Sequence, residues 1–200
     1  MLHSKLIKRE EIAVIFTTLS EEYEMLGGNK QIDIYIVGGA AILLDFDYRM
    51  STIDIDAYYK DDSILQKSIN AVAKKLNLPS DWLNHDFVST PSFSSNITKL
   101  SAETKMYGKY IKIHSMAPKY LIAMKLKSSR PTGGDLDDIV MMIYELRYKN
   151  VPITYEEIIT AYKELYPDFS NTYDYFLEKA KEAFETPIED FSHLFNKSSI

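Results

Sequence analysis

Apolar residues recur along the chain at two spacings, and the points where one gives way to the other mark its elements. From residue 5 to about 26 they return every three or four positions, with Leu6, Ile12, Ile15, Phe16 and Leu19 on one side. This predicts an amphipathic helix ended by Gly27-Gly28-Asn29. No strand precedes that glycine pair, so it reads as a helix stop. The spacing then shortens to two, which predicts strands over about 33–37 and 53–59. Ser63 is placed to cap a helix over 64–76, closed by Asn77 and Pro79. Residues 80–100 are polar and irregular, with Trp82 and Phe87 as anchors. Strands at 97–100 and 110–114 are expected to flank a hairpin connection at Tyr107-Gly108-Lys109, followed by helices over 118–128 and 136–148. The loop between those helices, Arg130-Pro131-Thr132-Gly133-Gly134, has strong turn chemistry, and Asp135 stands where a helix cap is expected. Beyond 149 the pattern is helical throughout. Thr154-x-x-Glu157 makes a capping box ahead of Ile158, Ile159, Tyr162 and Leu165, Pro167 stops that helix, and Asn171 opens another through Phe184. The dense tyrosines and phenylalanines of this quarter lie at helical spacing, and are read as core.

The most informative stretch is IYIVGGAAILLDFDYRMSTIDIDAYYK, residues 34–60. It reads as strand, tight glycine turn, short helix, and a second strand carrying Asp54 and Asp56. Successive strand side chains face opposite ways, so the two acids share a face and Ile53, Ile55 and Ala57 take the other. Two rises put the acid backbones roughly 6.6 Å apart. Both carboxylates can then lean on one hard cation, and Mg²⁺ is the ion this donor set suits, with water and phosphate oxygens completing its octahedron. Gly38 and Gly39 let backbone approach a ligand closely, and the helix starting there turns unpaired N–H groups toward a phosphate.

This combination resembles the nucleotidyltransferase superfamily, whose signature is a G-[GS] turn followed by a strand bearing D-x-[DE]. The likeness is closest to the minimal bacterial nucleotidyltransferases that include AbiEii-type toxins of toxin–antitoxin and phage-defence systems. Arg49, Ser51 and Thr52 ahead of Asp54 resemble the approach to the acids in that group. Downstream, the run from Ala117 through Lys125 to Leu126, then Arg130 and Asp135-Leu136-Asp137-Asp138-Ile139, resembles its K-L…R…D-x-x-D-I segment. The position of Gly134 is usually lysine there. The resemblance spans about residues 30–145. It implies an α+β fold, a nucleotidyltransferase-like mixed sheet flanked by helices, with the chain dividing into residues 1–148 and a helical appendage over 149–200. It further implies Mg²⁺ on Asp54 and Asp56, an NTP held by Gly38, Gly39, Arg49, Ser51, Thr52, Lys125 and Arg130, and transfer of an NMP to an RNA such as tRNA or to a protein side chain. A cognate antitoxin is the partner such systems carry. Many members add a third carboxylate on a later strand. Here that strand, near 110–114, holds Lys112 and His114, which leaves Asp86 as the candidate if its segment folds back to the site. The competing reading is a non-catalytic nucleotidyltransferase-fold module that binds a nucleotide or a protein partner.

Composition narrows the alternatives. Two hundred residues at 46% hydrophobic support one domain or one with an appendage. The absence of cysteine removes disulfides, thiolate zinc sites and cysteine nucleophiles. His3, His85, His114 and His193 lack metal-ligand spacing. No apolar run is long enough to span a bilayer and the first residues do not resemble a signal peptide, so a cytoplasmic protein without membrane association is expected. A net charge of −6 argues against a surface coated in positive potential, although a local basic patch such as Lys119, Lys125, Lys127 and Arg130 is what a phosphate meets. A dinucleotide-binding fold is disfavoured because G-x-G-x-x-G is absent.

Overall fold

The computed structural model describes residues 5–130, 132–151, 153–167 and 174–189. They form two compact units, and Ala117 and Pro118 mark the main division between them.

The first unit is built on a five-stranded mixed sheet. Its strands are β2 (Ile32–Ile36), β4 (Ile55–Tyr58), β5 (Leu83–Asn84), β6 (Ser101–Tyr107) and β7 (Ile111–Met116), in the order β5-β4-β2-β7-β6. β2 runs antiparallel to β4 and parallel to β7, while β5 lies parallel to β4 and β6 antiparallel to β7. A separate two-stranded ladder pairs β1 (Ile7–Lys8) with β3 (Ser51–Thr52). The period of two sorts the sheet residues. Ile34, Ile36, Ile55, Ala57, Ile111 and Ile113 are buried, whereas Asp33, Tyr35, Asp56, Tyr58 and Lys112 between them are half-buried. Helix α1 (Arg9–Met25) packs along β6, β7 and helix α3 (Ser63–Leu76). Its inward stripe is Ile12, Ile15, Phe16, Leu19 and Tyr23, as the helical spacing predicts, but Leu6 precedes the helix and is half exposed. Ser20 Oγ accepts from the backbone N–H groups of Lys109 and Tyr110, which fixes the β6–β7 hairpin on α1.

Three boundaries differ from the sequence reading, each for a local reason. Asp62, not Ser63, caps α3, accepting from the N–H groups of Ile64 and Leu65. Residues Ile97–Leu100 form one helical turn, α4, and the strand begins only at Ser101. The second acid strand starts at Ile55, so Asp54 stands one residue ahead of it. Trp82 and Phe87 are buried as expected, and the indole N–H of Trp82 donates to the Ile69 carbonyl of α3. Asn77 ends α3 in the left-handed conformation.

The second unit comprises 46–48, 90–96 and the residues from Pro118 onward. Its helices are α5 (Pro118–Ser128), α6 (Asp135–Tyr148), α7 (Tyr155–Leu165) and α8 (Asp174–Glu185), with α5 packed on α6 and α7, and α8 on α6. Helices α5 and α6 bury their apolar faces with α7 and α8 within this unit. The capping box Thr154/Glu157 forms as read. Tyr162, Tyr166 and Phe176 are core, consistent with their helical spacing. The proposed cap at Asn171 lies outside the described residues. Two short segments join this unit through its carboxylates and carbonyls. The N–H groups of Asp47 and Tyr48 donate to Glu145, Ser94 Oγ donates to the Leu165 carbonyl, and Tyr166 donates to the Ser92 carbonyl.

Candidate active site

Helix α2 (Gly38–Asp45) begins at the glycine pair, directly after β2. Val37 N–H donates to the carbonyl of Asp56, so the end of β2 is laced to the acid strand where the turn begins. Gly38 has φ +61°, a conformation that favours glycine, and a Cβ built on it would stand 3.1 Å from Asp56 Oδ2. A Cβ on Gly39 would stand 3.0 Å from a terminal nitrogen of Arg49 and 3.1 Å from Thr52 Oγ1. The two missing side chains thus leave room that a carboxylate, a guanidinium and a hydroxyl already crowd. Burial alternates along Asp54, Ile55, Asp56 and Ala57, with the acids half-buried and the apolar residues buried, so both acids share the polar face although only Asp56 lies within β4.

The environment of Asp54 is set by the segment that follows α3. Parallel pairing puts Asn84 opposite Asp56, and Asn84 Nδ2 donates to Asp54 Oδ2 at 3.3 Å. Asn84 is itself fixed, since it also donates to the Asp81 carbonyl and its Oδ1 accepts from Asp86 N–H at 2.9 Å. Burial raises the Asp54 carboxyl above the usual range, the Asn84 bond pulls it back, and the negative charges of Asp81 and Asp86 push it up again. Asp86 therefore acts on Asp54 through its field. It lies exposed in a one-turn 3₁₀ helix, and among the described residues no group of three or more His, Asp and Glu side chains gathers closely enough to hold a metal ion. Thr52 Oγ1 donates to the Asp54 carbonyl at 3.0 Å and shapes the turn into the acids, while Ser51 is half-buried in β3. Asp54 and Asp56 are the residues that could hold a divalent cation. A hard ion suits them, because the donors are carboxylates.

Lys125 and Arg130 belong to the second unit, where both meet acids. Lys125 Nζ lies 2.8 Å from Asp135 and 2.7 Å from Asp138, and the Arg130 guanidinium donates to both Asp135 oxygens at 3.0 Å. Asp135 does not cap α6, whose cap is Gly134 in the left-handed conformation without a side-chain bond. Burial would raise the Asp135 carboxyl, but Arg130 and Lys125 override it and hold it well below the usual range.

Two features escape a reading of the sequence. Asn84 is one, since a two-residue strand is too short to show a period. The other is Asp33, whose Oδ1 pairs with His114 Nε2 at 2.7 Å across the β2–β7 register, so that the position lacking a third acid carries an acid–imidazole pair.

An α+β arrangement in which a mixed sheet brings a glycine-turn helix start close to Asp56 of β4, with Asp54 just ahead of that strand, defines a nucleotidyltransferase-like fold. Residues 15–185 match the family model described as "Nucleotidyltransferase of unknown function (DUF6036)", and the chain belongs to that family. No curated protein and no solved structure matches the chain. Among the described residues, no helix is long and apolar enough to cross a membrane.

Proposed function

We propose that the chain transfers an NMP from an NTP to a hydroxyl of an RNA, such as tRNA, or of a protein side chain, with Asp54 and Asp56 as the holders of Mg²⁺. The observation that carries this reading is the close approach of Asp56 Oδ2 to the side-chain-free turn at Gly38. The acceptor oxygen forms a bond to the α-phosphorus, the bond from phosphorus to the pyrophosphate oxygen breaks, and the hydroxyl proton leaves to solvent. Mg²⁺, when bound, neutralises the charge that develops on the transferring and departing oxygens. The chain's own groups do the rest. The first N–H groups of α2 meet phosphate oxygens at the glycine turn, Arg49 brings a positive charge over Gly39, and Asn84 keeps Asp54 turned to the polar face. Ser51 completes the nucleotide-binding set within the first unit in this reading, Thr52 supports the acid turn, and Asp86 tunes Asp54.

Incubation of the whole chain with each α-labelled NTP, Mg²⁺ and total RNA or protein tests it. Label is expected to pass to a macromolecule, and Asp54→Asn or Asp56→Asn to lower the rate by about 10³-fold or more. Full labelling by the double variant overturns the assignment, and NTP binding without transfer identifies a non-catalytic module instead. The resemblance to AbiEii-type proteins favours a toxin role. In that case, growth arrest on expression depends on the same two acids and is relieved by a co-expressed antitoxin.

A further inference from the structure

The polar face of the sheet carries more than the acids. Tyr58 stands two residues beyond Asp56 on β4, is the register partner of Tyr35 on β2, and Tyr35 is in turn the register partner of His114 on β7. Alternation puts all three rings on the face of Asp56. The Tyr35 and Tyr58 ring centroids are 6.2 Å apart, and the His114 ring stacks on Tyr35 at 4.3 Å and 12°. A cavity of about 660 Å³ opens over Tyr35 and Tyr58, lined also by Tyr59, Asp33, Lys30 and Lys60. Its volume is in the range of small-molecule sites. Asp33 presents a part-exposed carboxylate there, held from below by His114 and from the side by Gln31. Oδ1 already meets His114 and Gln31 and Oδ2 meets Gln31, so Oδ2 keeps room for one further donor.

We propose that this cavity is a nucleobase subsite, in which a base stacks on the half-exposed Tyr35 and Tyr58 rings and gives its exocyclic amine to Asp33. Aromatic rings supply the stacking surface that any base uses, and a fixed anionic acceptor selects bases that carry an amine. Tyr58 lies about 6.6 Å along the strand from Asp56, so the cavity opens on the same face of the sheet as the acids. Lys30 and Lys60 line the cavity together with the acids Asp61 and Asp62. The same base chemistry can come from the incoming NTP or from the terminal nucleoside of an acceptor. The subsite adds to the transfer reading and is tested apart from it.

Free nucleosides are the probe, with binding to the whole chain followed by calorimetry and ligand-observed NMR in the Asp54→Asn/Asp56→Asn background. Adenosine, cytidine and guanosine are expected to bind, with uridine weaker. Tyr35→Leu/Tyr58→Leu is expected to weaken them about tenfold, while Tyr35→Phe/Tyr58→Phe stays within about threefold. Asp33→Asn is expected to erase the advantage of cytidine over uridine. In the unaltered chain, nucleosides are expected to shift the His114 ring resonances, a readout that needs no variant. Absence of nucleoside binding, equal binding to the Leu variant, or unmoved His114 resonances overturns the subsite, whatever the transfer assay gives. If transfer occurs, a KM for NTP raised by Tyr35→Leu assigns the base to the incoming nucleotide, and a raised KM for acceptor assigns it to the acceptor. Unchanged values for both overturn the subsite while leaving the transfer reading intact.

Discussion

Asn84 holds the geometry of the acid pair by one hydrogen bond, and its removal tests how much that orientation is worth. Supporting residues around ligating groups typically contribute 10–100-fold, so Asn84→Ala is expected to reduce kcat/KM by about that much. The bond favours the ionised form of Asp54, and without it the carboxyl rises further. The acid limb of the pH–rate profile is therefore expected to move to higher pH in Asn84→Ala, an outcome that simple loosening of the fold does not produce. Asp54 also costs stability. Its folded carboxyl is raised above the unfolded one, so its contribution is most favourable below the unfolded value near 4 and is lost as pH climbs through the folded value. Asp54→Asn is expected to raise the melting temperature at neutral pH while lowering the rate of the proposed transfer by about 10³-fold or more, with the gain in stability vanishing in acid. The acids and the glycines were legible in the sequence because a strand period and a bend residue leave strong local marks. Asn84 was not, because its role depends on a non-local pairing of two residues with β4.

At the scale of elements, the contact of α5 with α6 rests on a buried ionic cluster. Asp135 has no exposed side-chain surface and holds Lys125 and Arg130, while Asp138 shares Lys125 and accepts from the Tyr48 hydroxyl. Asp135→Ala removes one partner of a desolvated ammonium but leaves the other, so the expected loss is about 2–3 kcal/mol, below the usual range for a broken buried pair. The pH dependence has a definite sign. The Asp135 carboxyl is depressed in the fold, so its stabilisation is fully present above the unfolded value near 3.9 and is lost as pH falls toward the folded one. The difference in melting temperature between wild type and Asp135→Ala is expected to shrink as pH drops below about 4. Helical and strand periods carried most element assignments, and the capping box at Thr154 was readable to the residue. The helical turn at Ile97–Leu100 was mistaken for strand because four residues fit either period. Asp135 read as a cap because sequence shows position but not the two cations that turn its carboxylate inward.

For the whole molecule, net charge of −6 leaves local groups to meet any polyanion. Three cations stand in the first unit near the proposed sites, Arg49 over Gly39 and Lys30 and Lys60 along the cavity. If single-stranded RNA is the acceptor, three neutralised phosphates give a slope of about −2 in log K against log salt, by the usual factor of 0.7 per contact. A slope steeper than about −5, measured by fluorescence anisotropy, would assign binding to a different surface. Residues 46–48 and 90–96 join the second unit through hydrogen bonds such as Asp47 N–H to Glu145 and Ser94 Oγ to the Leu165 carbonyl, which leave no periodic trace in the sequence. One contact reaches beyond this molecule to its relatives. A methyl group at residue 39 would stand 3.0 Å from the tip of the Arg49 guanidinium, so serine there presses the flexible arginine to give way by a few tenths of an ångström. Family members with serine at the second position should hold that arginine with its tip turned slightly away from the bend, a displacement that a comparison of their structures would reveal.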